Sequence, residues 1–214
     1  MSFLTIYSQA CGQTRGKTEA GVRLGVFVNS QNQVQVPDAR VKLYPDQVSL
    51  YVEGFFNYNF TKSLAAVLNL GTYSKGDISF DLYYNGVFDG SFIGQATVFP
   101  MQLGLKFSPL GNKSPKVAPY LAGGGAIIIG RETVTLGPYD SYYFRYGRGY
   151  IGSETDLNWW GACGAEIPLS NKLNLDILVK YINTNFSGDI AGIWNYSGWQ
   201  ITAGIGYLNL RKKH

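Results

Sequence analysis

Apolar and polar residues alternate with period two along most of the chain from Glu19 to Leu210, and helical periodicity is hard to find. In "AGVRLGVFV", Ala20, Val22, Leu24, Val26 and Val28 share one face, while Gly21, Arg23, Gly25 and Phe27 share the other. "SLYVEGFFNYNF" sets Leu50, Val52, Gly54, Phe56 and Tyr58 against Tyr51, Glu53, Phe55, Asn57 and Asn59. The same parity runs through "SLAAVLNLGTY" and "ATVFPMQLGLKF", then through a stretch spanning about residues 117–131. It continues in "LNWWGACGAEI", "LNLDILVKYI" and "WQITAGIGYL". These are eight candidate strands, most of ten residues or more. The mean strand of a soluble protein is only about five or six residues long. A bilayer needs tilted strands of about nine to eleven.

The connections alternate in length. After the second, fourth and sixth strands they are tight: "FTKS", "SPLGNKSPK" and "PLSNK". After the first, third, fifth and seventh they are long, covering residues 29–44, 74–95, 132–156 and 184–197. In an antiparallel barrel that alternation puts every long loop at one end, as in outer-membrane barrels. The expectation is an all-β, eight-stranded antiparallel up-and-down transmembrane β-barrel, long loops at one end and short turns at the other. It occupies residues 19–210 as one domain, after an N-terminal segment at 1–18 and before a basic tail at 211–214.

Which face is polar decides the solvent outside. One face of each strand is almost purely aliphatic and aromatic. The other mixes glycine and asparagine with six charges: Arg23, Glu53, Lys106, Glu166, Asp176 and Lys180. Six is too few for a solvated outer wall. Three acids and three bases suit a narrow lumen, where they neutralise one another as an ion network. That network is either purely structural or part of a gate on a lateral or axial path. The "PYLAGGGAIIIG" stretch then reads as wall. It lacks the lysine of a phosphate-binding loop and the following helix of a dinucleotide fold. Its glycines leave room for bulky side chains across a lumen that eight strands barely open. The alternative is a soluble lipocalin-like barrel binding a small apolar ligand, but the only G-x-W, Gly192 to Trp194, falls near the wrong end.

Composition narrows the chemistry. Charged residues make up only 15% and aromatics 15%, with 16 tyrosines and 27 glycines. No dense basic cluster precedes the terminal "RKKH", so no nucleic acid is expected as a partner. The one histidine is His214 and the two cysteines, Cys11 and Cys163, are far apart. No catalytic residue, metal site or cofactor is therefore expected, and the protein reads as not an enzyme. Cys163 falls on the lipid face as inert packing. "FLTI" followed by "SQAC" reads as the tail of a signal peptide, with lipidation of Cys11 as a weaker option.

The second half of the chain, about residues 99–210, resembles the OmpW-type family of small Gram-negative outer-membrane barrels. The resemblance is carried by "FPMQLGLKFSP", "KVAPYLAGGGA", "WWGACGAEIPLSNKLNLDILVKYINT" and "GWQITAGIGYL". In these, Lys116, Pro119, Tyr120 and Gly123, Gly161 to Glu166, and Leu173 to Tyr181 fall on the family's strand patterns. One departure is the end of the chain. Such barrels usually finish on an aromatic residue, whereas here the last aromatic is Tyr207. The resemblance implies an outer-membrane location and a non-enzymatic barrel that passes or binds small hydrophobic molecules. Outer-membrane lipid and the barrel-assembly machinery are its expected partners. A structural or surface-recognition role is the other expectation. It rests on aromatic-rich loops, with Tyr83, Tyr84, Tyr142, Tyr143, Arg145 and Tyr146 as candidates. Those tyrosines serve equally well as an interfacial girdle. Trp159, Trp160, Trp194 and Trp199, near the loop ends of their strands, are assigned to the girdle.

Overall fold

The computed structural model describes residues 18–30, 41–44, 48–84, 87–110, 116–136, 152–190 and 193–209. Its strands, in chain order, are β1 (Thr18–Asn29), β2 (Val41–Tyr44), β3 (Val48–Asn59), β4 (Leu64–Tyr84), β5 (Val87–Phe107), β6 (Ala118–Leu136), β7 (Ser153–Pro168), β8 (Leu173–Ile182), β9 (Asn185–Ile190), β10 (Ile193–Asn195) and β11 (Gly198–Asn209). Eight of them form the barrel, in the order β4-β3-β1-β11-β8-β7-β6-β5, and the β4–β5 pairing closes it. Every neighbouring pair is antiparallel. β2 adds to the far end of β4, while β9 and β10 form a separate hairpin.

The facing follows the sequence parity. Val22 is 62% exposed and Leu103 65%, against 3% for Arg23 and 0% for Gln102. A run of large apolar side chains covers the outside of every barrel strand from Val22 to Tyr207, and the charges are inside. This is the reverse of the lipocalin-like alternative, which buries its apolar face. Only hydrocarbon makes such an outer surface favourable.

Two short turns at one end are built alike. Phe60 and Thr61 both donate from their backbone amides to the Leu64 carbonyl, and Leu169 and Ser170 do the same to Leu173. The Thr61 and Ser170 hydroxyls each accept from the amides two and three residues on, which fixes the turn. The start of β1 and the end of β11 lie at this same end, paired Thr18 with Asn209.

The other end departs from expectation over residues 74–95. The expected long loop is instead the continuation of β4 and β5, each 21 residues long, with Tyr84 paired to Val87. The intervening Asn85-Gly86 is a strong two-residue hairpin sequence, and β-prone residues flank it on both sides. Tyr83 and Tyr84 therefore end a strand and are not loop residues. Tyr142, Tyr143, Arg145 and Tyr146 lie outside the described residues.

Candidate functional site: a layered lumen

The interior is stacked in three layers. Nearest the short turns is a small polar group. Lys106 on β5 pairs with Glu166 on β7, and its ammonium lies 4.3 Å from the centre of the Tyr120 ring. Glu19 on β1 sits 4.0 Å from Lys106 and accepts hydrogen bonds from Asn57 (2.9 Å) and Asn174 (3.3 Å).

Above it lies the main ion network. The Arg23 guanidinium spans β1 to two carboxylates: Nη1 is 2.7 Å from Glu53 and Nη2 is 2.7 Å from Asp176. Glu53 also pairs with Lys180 and accepts from the Tyr51 hydroxyl at 2.5 Å. Asp176 accepts from the Tyr120 hydroxyl at 2.7 Å. Gln102 accepts from Lys180 (2.7 Å) and Asn69 (3.1 Å), tying β4 and β5 to β8. Strand parity alone aims these side chains at one another, because each sits at an inward position of a wall only eight strands round. Buried charges demand such pairing.

The six residues singled out from the sequence all lie in these two layers, every one of them buried. The sequence reading counted three acids. There are four, because Glu19 is also buried, and three bases, so the described lumen carries one excess negative charge. Glu19 shares the inward parity of Arg23, four residues on, and that spacing was the available signal. Tyr51 and Tyr120 were missed as partners because nothing in the sequence distinguishes an inward tyrosine with a carboxylate in reach from one that merely packs.

The third layer is apolar. Phe27 stacks on Tyr73 with ring centroids 3.9 Å apart, and Tyr51, Ala96, Val98, Ile128, Trp160 and Ile182 are among the residues that pack with them. The assignment of Trp160 to the girdle is corrected here. It points inward, is 3% exposed, and donates from Nε1 to the Gly125 carbonyl at 3.1 Å. A β-carbon at Gly104 would lie 2.7 Å from its indole, so that glycine makes the seat. Trp159 and Trp199 do face outward and flank Tyr181 at 5.7 and 5.1 Å. The Trp194 side chain is outside the described residues. Cys163 is exposed on the outer surface.

The β4–β5 ladder is interrupted at Pro100, besides two register shifts nearer its hairpin, between Ser74 and Asp77 and between Leu82 and Tyr83. β4 and β5 stay in register from Leu70–Met101 to Tyr73–Val98, but the two intervening pairs, at Gly71–Pro100 and Thr72–Phe99, are missing. β5 pairs without interruption to β6 across the same residues. Proline has no amide hydrogen to give, and both missing pairs depend on a bond from residue 100 to Gly71. A proline between two paired neighbours is rare in a sheet. This one lies level with the apolar layer, one inward position from Val98 and one from Gln102.

Among the described residues no group of His, Cys, Asp and Glu could hold a metal ion. No protein-family model matches the sequence, and no curated protein matches it either. Solved structures do match. The outer membrane protein OprG from Pseudomonas aeruginosa superposes with a TM-score of 0.61 at 15% identity, over 94% of this chain and 99% of that one. A major outer membrane protein from Thermus thermophilus gives 0.56 at 14% identity, over 90% and 99%. Neisserial surface protein A gives 0.52 at 13% identity, over 91% and 99%. The chain has the fold of these proteins: it is a small, eight-stranded transmembrane β-barrel of the outer-membrane type.

Proposed function

We propose that this is a non-enzymatic, OmpW-like outer-membrane barrel that takes small hydrophobic molecules into its apolar upper layer and releases them sideways into the lipid. The single observation that carries this reading is the lapse in the β4–β5 ladder at Pro100. It weakens the wall where the interior is apolar, just above an ion network that lies across the axial route. A molecule in that layer meets paired charges below and a seam with a missing hydrogen bond beside it. Sideways exit into hydrocarbon is favourable for an apolar solute, whereas the way down requires breaking buried ion pairs. The charge network has a supporting role here, as the floor that diverts the solute. The aromatic-rich stretches around Tyr83, Tyr84, Tyr142, Tyr143, Arg145 and Tyr146 stand as a recognition surface only if a ligand for them is found.

The test is the entry rate of a small apolar naphthylamine fluorophore into cells that carry the protein in the outer membrane. Entry should exceed that of cells lacking the protein. Pro100→Val, which supplies the missing donor, should bring it back towards that background while leaving the barrel folded. Equal entry with and without the protein would sink the passage reading. Equal entry for the parent and Pro100→Val would sink the seam alone.

A further inference from the structure

The hairpin of β9 and β10 does not belong to the wall. It forms its own two-stranded sheet, with no ladder pairing to any barrel strand. It leaves the rim after β8, and its first strand, β9, lies against β7 and β6 with Phe186 and Ile190 turned into the mouth. Phe186, Ile190 and the adjoining Tyr196 are 6%, 1% and 0% exposed and join the apolar layer of Phe27, Tyr73 and Ile128.

Two features suit it to movement. Its cohesion is mostly internal: Phe186 packs edge-on to Tyr196 at 5.6 Å, and the Tyr196 hydroxyl donates to the Ile190 carbonyl at 2.6 Å, while one side-chain hydrogen bond, from the Tyr73 hydroxyl to the Tyr196 carbonyl at 3.2 Å, ties it to the wall. Its seat on the wall is shaped by a missing side chain. A β-carbon at Gly130 of β6 would run into Ile190 and come within 2.8 Å of the Phe186 ring. The hairpin can therefore leave as a unit without breaking a barrel ladder.

Resting on the passage reading above, we propose that the β9–β10 hairpin is a displaceable stopper. Phe186 and Ile190 occupy the seat that an apolar solute takes when it enters from the loop end. Hairpin and solute compete for one site, and the barrel rests closed. The chemical class follows from the seat: a small, uncharged aromatic or aliphatic molecule able to replace a phenyl ring and a branched alkyl group against Tyr73, Ile128 and the bare backbone of Gly130.

The experiment uses two lesions on opposite sides of the contact and two readouts. Ile190→Cys, with Cys11 and Cys163 changed to serine, reports hairpin displacement by its rate of labelling with a charged maleimide. Gly130→Val removes the seat from the wall side, and Phe186→Ala with Ile190→Ala removes the stopper's bulk. Unboiled gel mobility checks that each barrel is folded. Labelling should be slow at rest, and several-fold faster both with saturating naphthylamine fluorophore and in the Gly130→Val background. Fluorophore entry into cells should rise several-fold in Gly130→Val and in the double alanine variant. Labelling that neither the solute nor Gly130→Val changes, while entry continues, means a fixed cap and overturns the proposal alone. Fast labelling in Gly130→Val with no entry in any variant overturns the passage reading and the stopper with it.

Discussion

Glu53 offers the sharpest test of the layered lumen, because removing its charge strands one cation and not the other. The main layer is neutral: Arg23 and Lys180 balance Glu53 and Asp176. Glu53→Gln leaves it at a net positive charge of one. Arg23 keeps Asp176 at 2.7 Å, but Lys180 loses its only carboxylate within ion-pair distance among the described residues. Breaking a buried pair from one side costs about 3–5 kcal/mol. With a urea slope of about 2 kcal/mol/M, the unfolding midpoint should fall by about 1.5–2.5 M. Adding Lys180→Met restores neutrality with an apolar chain of similar length. The double variant should recover to within about 1–2 kcal/mol of the parent, since balanced removal of buried pairs is often nearly neutral. The assay is equilibrium unfolding in detergent followed by tryptophan fluorescence, in which the inward Trp160 reports on the same lumen. Losses in the double variant equal to the sum of the two single losses would mean that Lys180 does not depend on Glu53, and the reasoning would fail.

Glu19→Gln should behave in the opposite way to Glu53→Gln. It removes the formal excess negative charge from a carboxylate held by two amides and a lysine 4.0 Å away, and the new amide can donate to Asn57 Oδ1, which has no hydrogen-bond partner among the described residues. The same unfolding assay should show a change of no more than about 1 kcal/mol, the scale of a single neutral hydrogen bond. Leu103→Lys places a charge on the outer surface at a position 65% exposed to lipid, and should cost about 2–4 kcal/mol near the midplane. Refolding yield on unboiled gels checks this, with Leu103→Ile as the control for packing.

What the sequence made legible was the facing of the wall. Period-two parity is a property of the strand itself, so Val22 and Leu103 could be set outside, and Arg23 and Gln102 inside, without knowing any neighbour. The six charges could be gathered into one lumen for the same reason. Features that depend on neighbours were not legible. "NTNFSGDIAGIWN" reads as a loop, because its Ser-Gly-Asp interrupts the alternation and Phe186 and Ile190 find their burial only in the barrel mouth. Parity alone sets Trp160 inward, on the face of Asn158 and Glu166, but the room for its indole becomes visible only with Gly104 two strands away. Pro100 shows in the sequence, but its effect depends on whether its missing donor faces β4 or β6. The length of β4 and β5 was misjudged although the Asn-Gly pair at 85–86 is a hairpin signal legible in the sequence.

The unequal height of the wall bears on how the protein meets its surroundings. β4 parts from β3 after Tyr73, yet it continues to Tyr84 in company with β5, β6 and β2. At about 3.3 Å per residue and a tilt of about 40°, the stretch from Ser74 adds roughly 25–30 Å of sheet on one side only. Among the described residues the wall is thus taller above the seam at Pro100, on the β4–β5–β6 side, than over β1, β11 and β8. On the proposed sideways route, a solute would therefore enter the lipid directly beneath the taller part of the sheet.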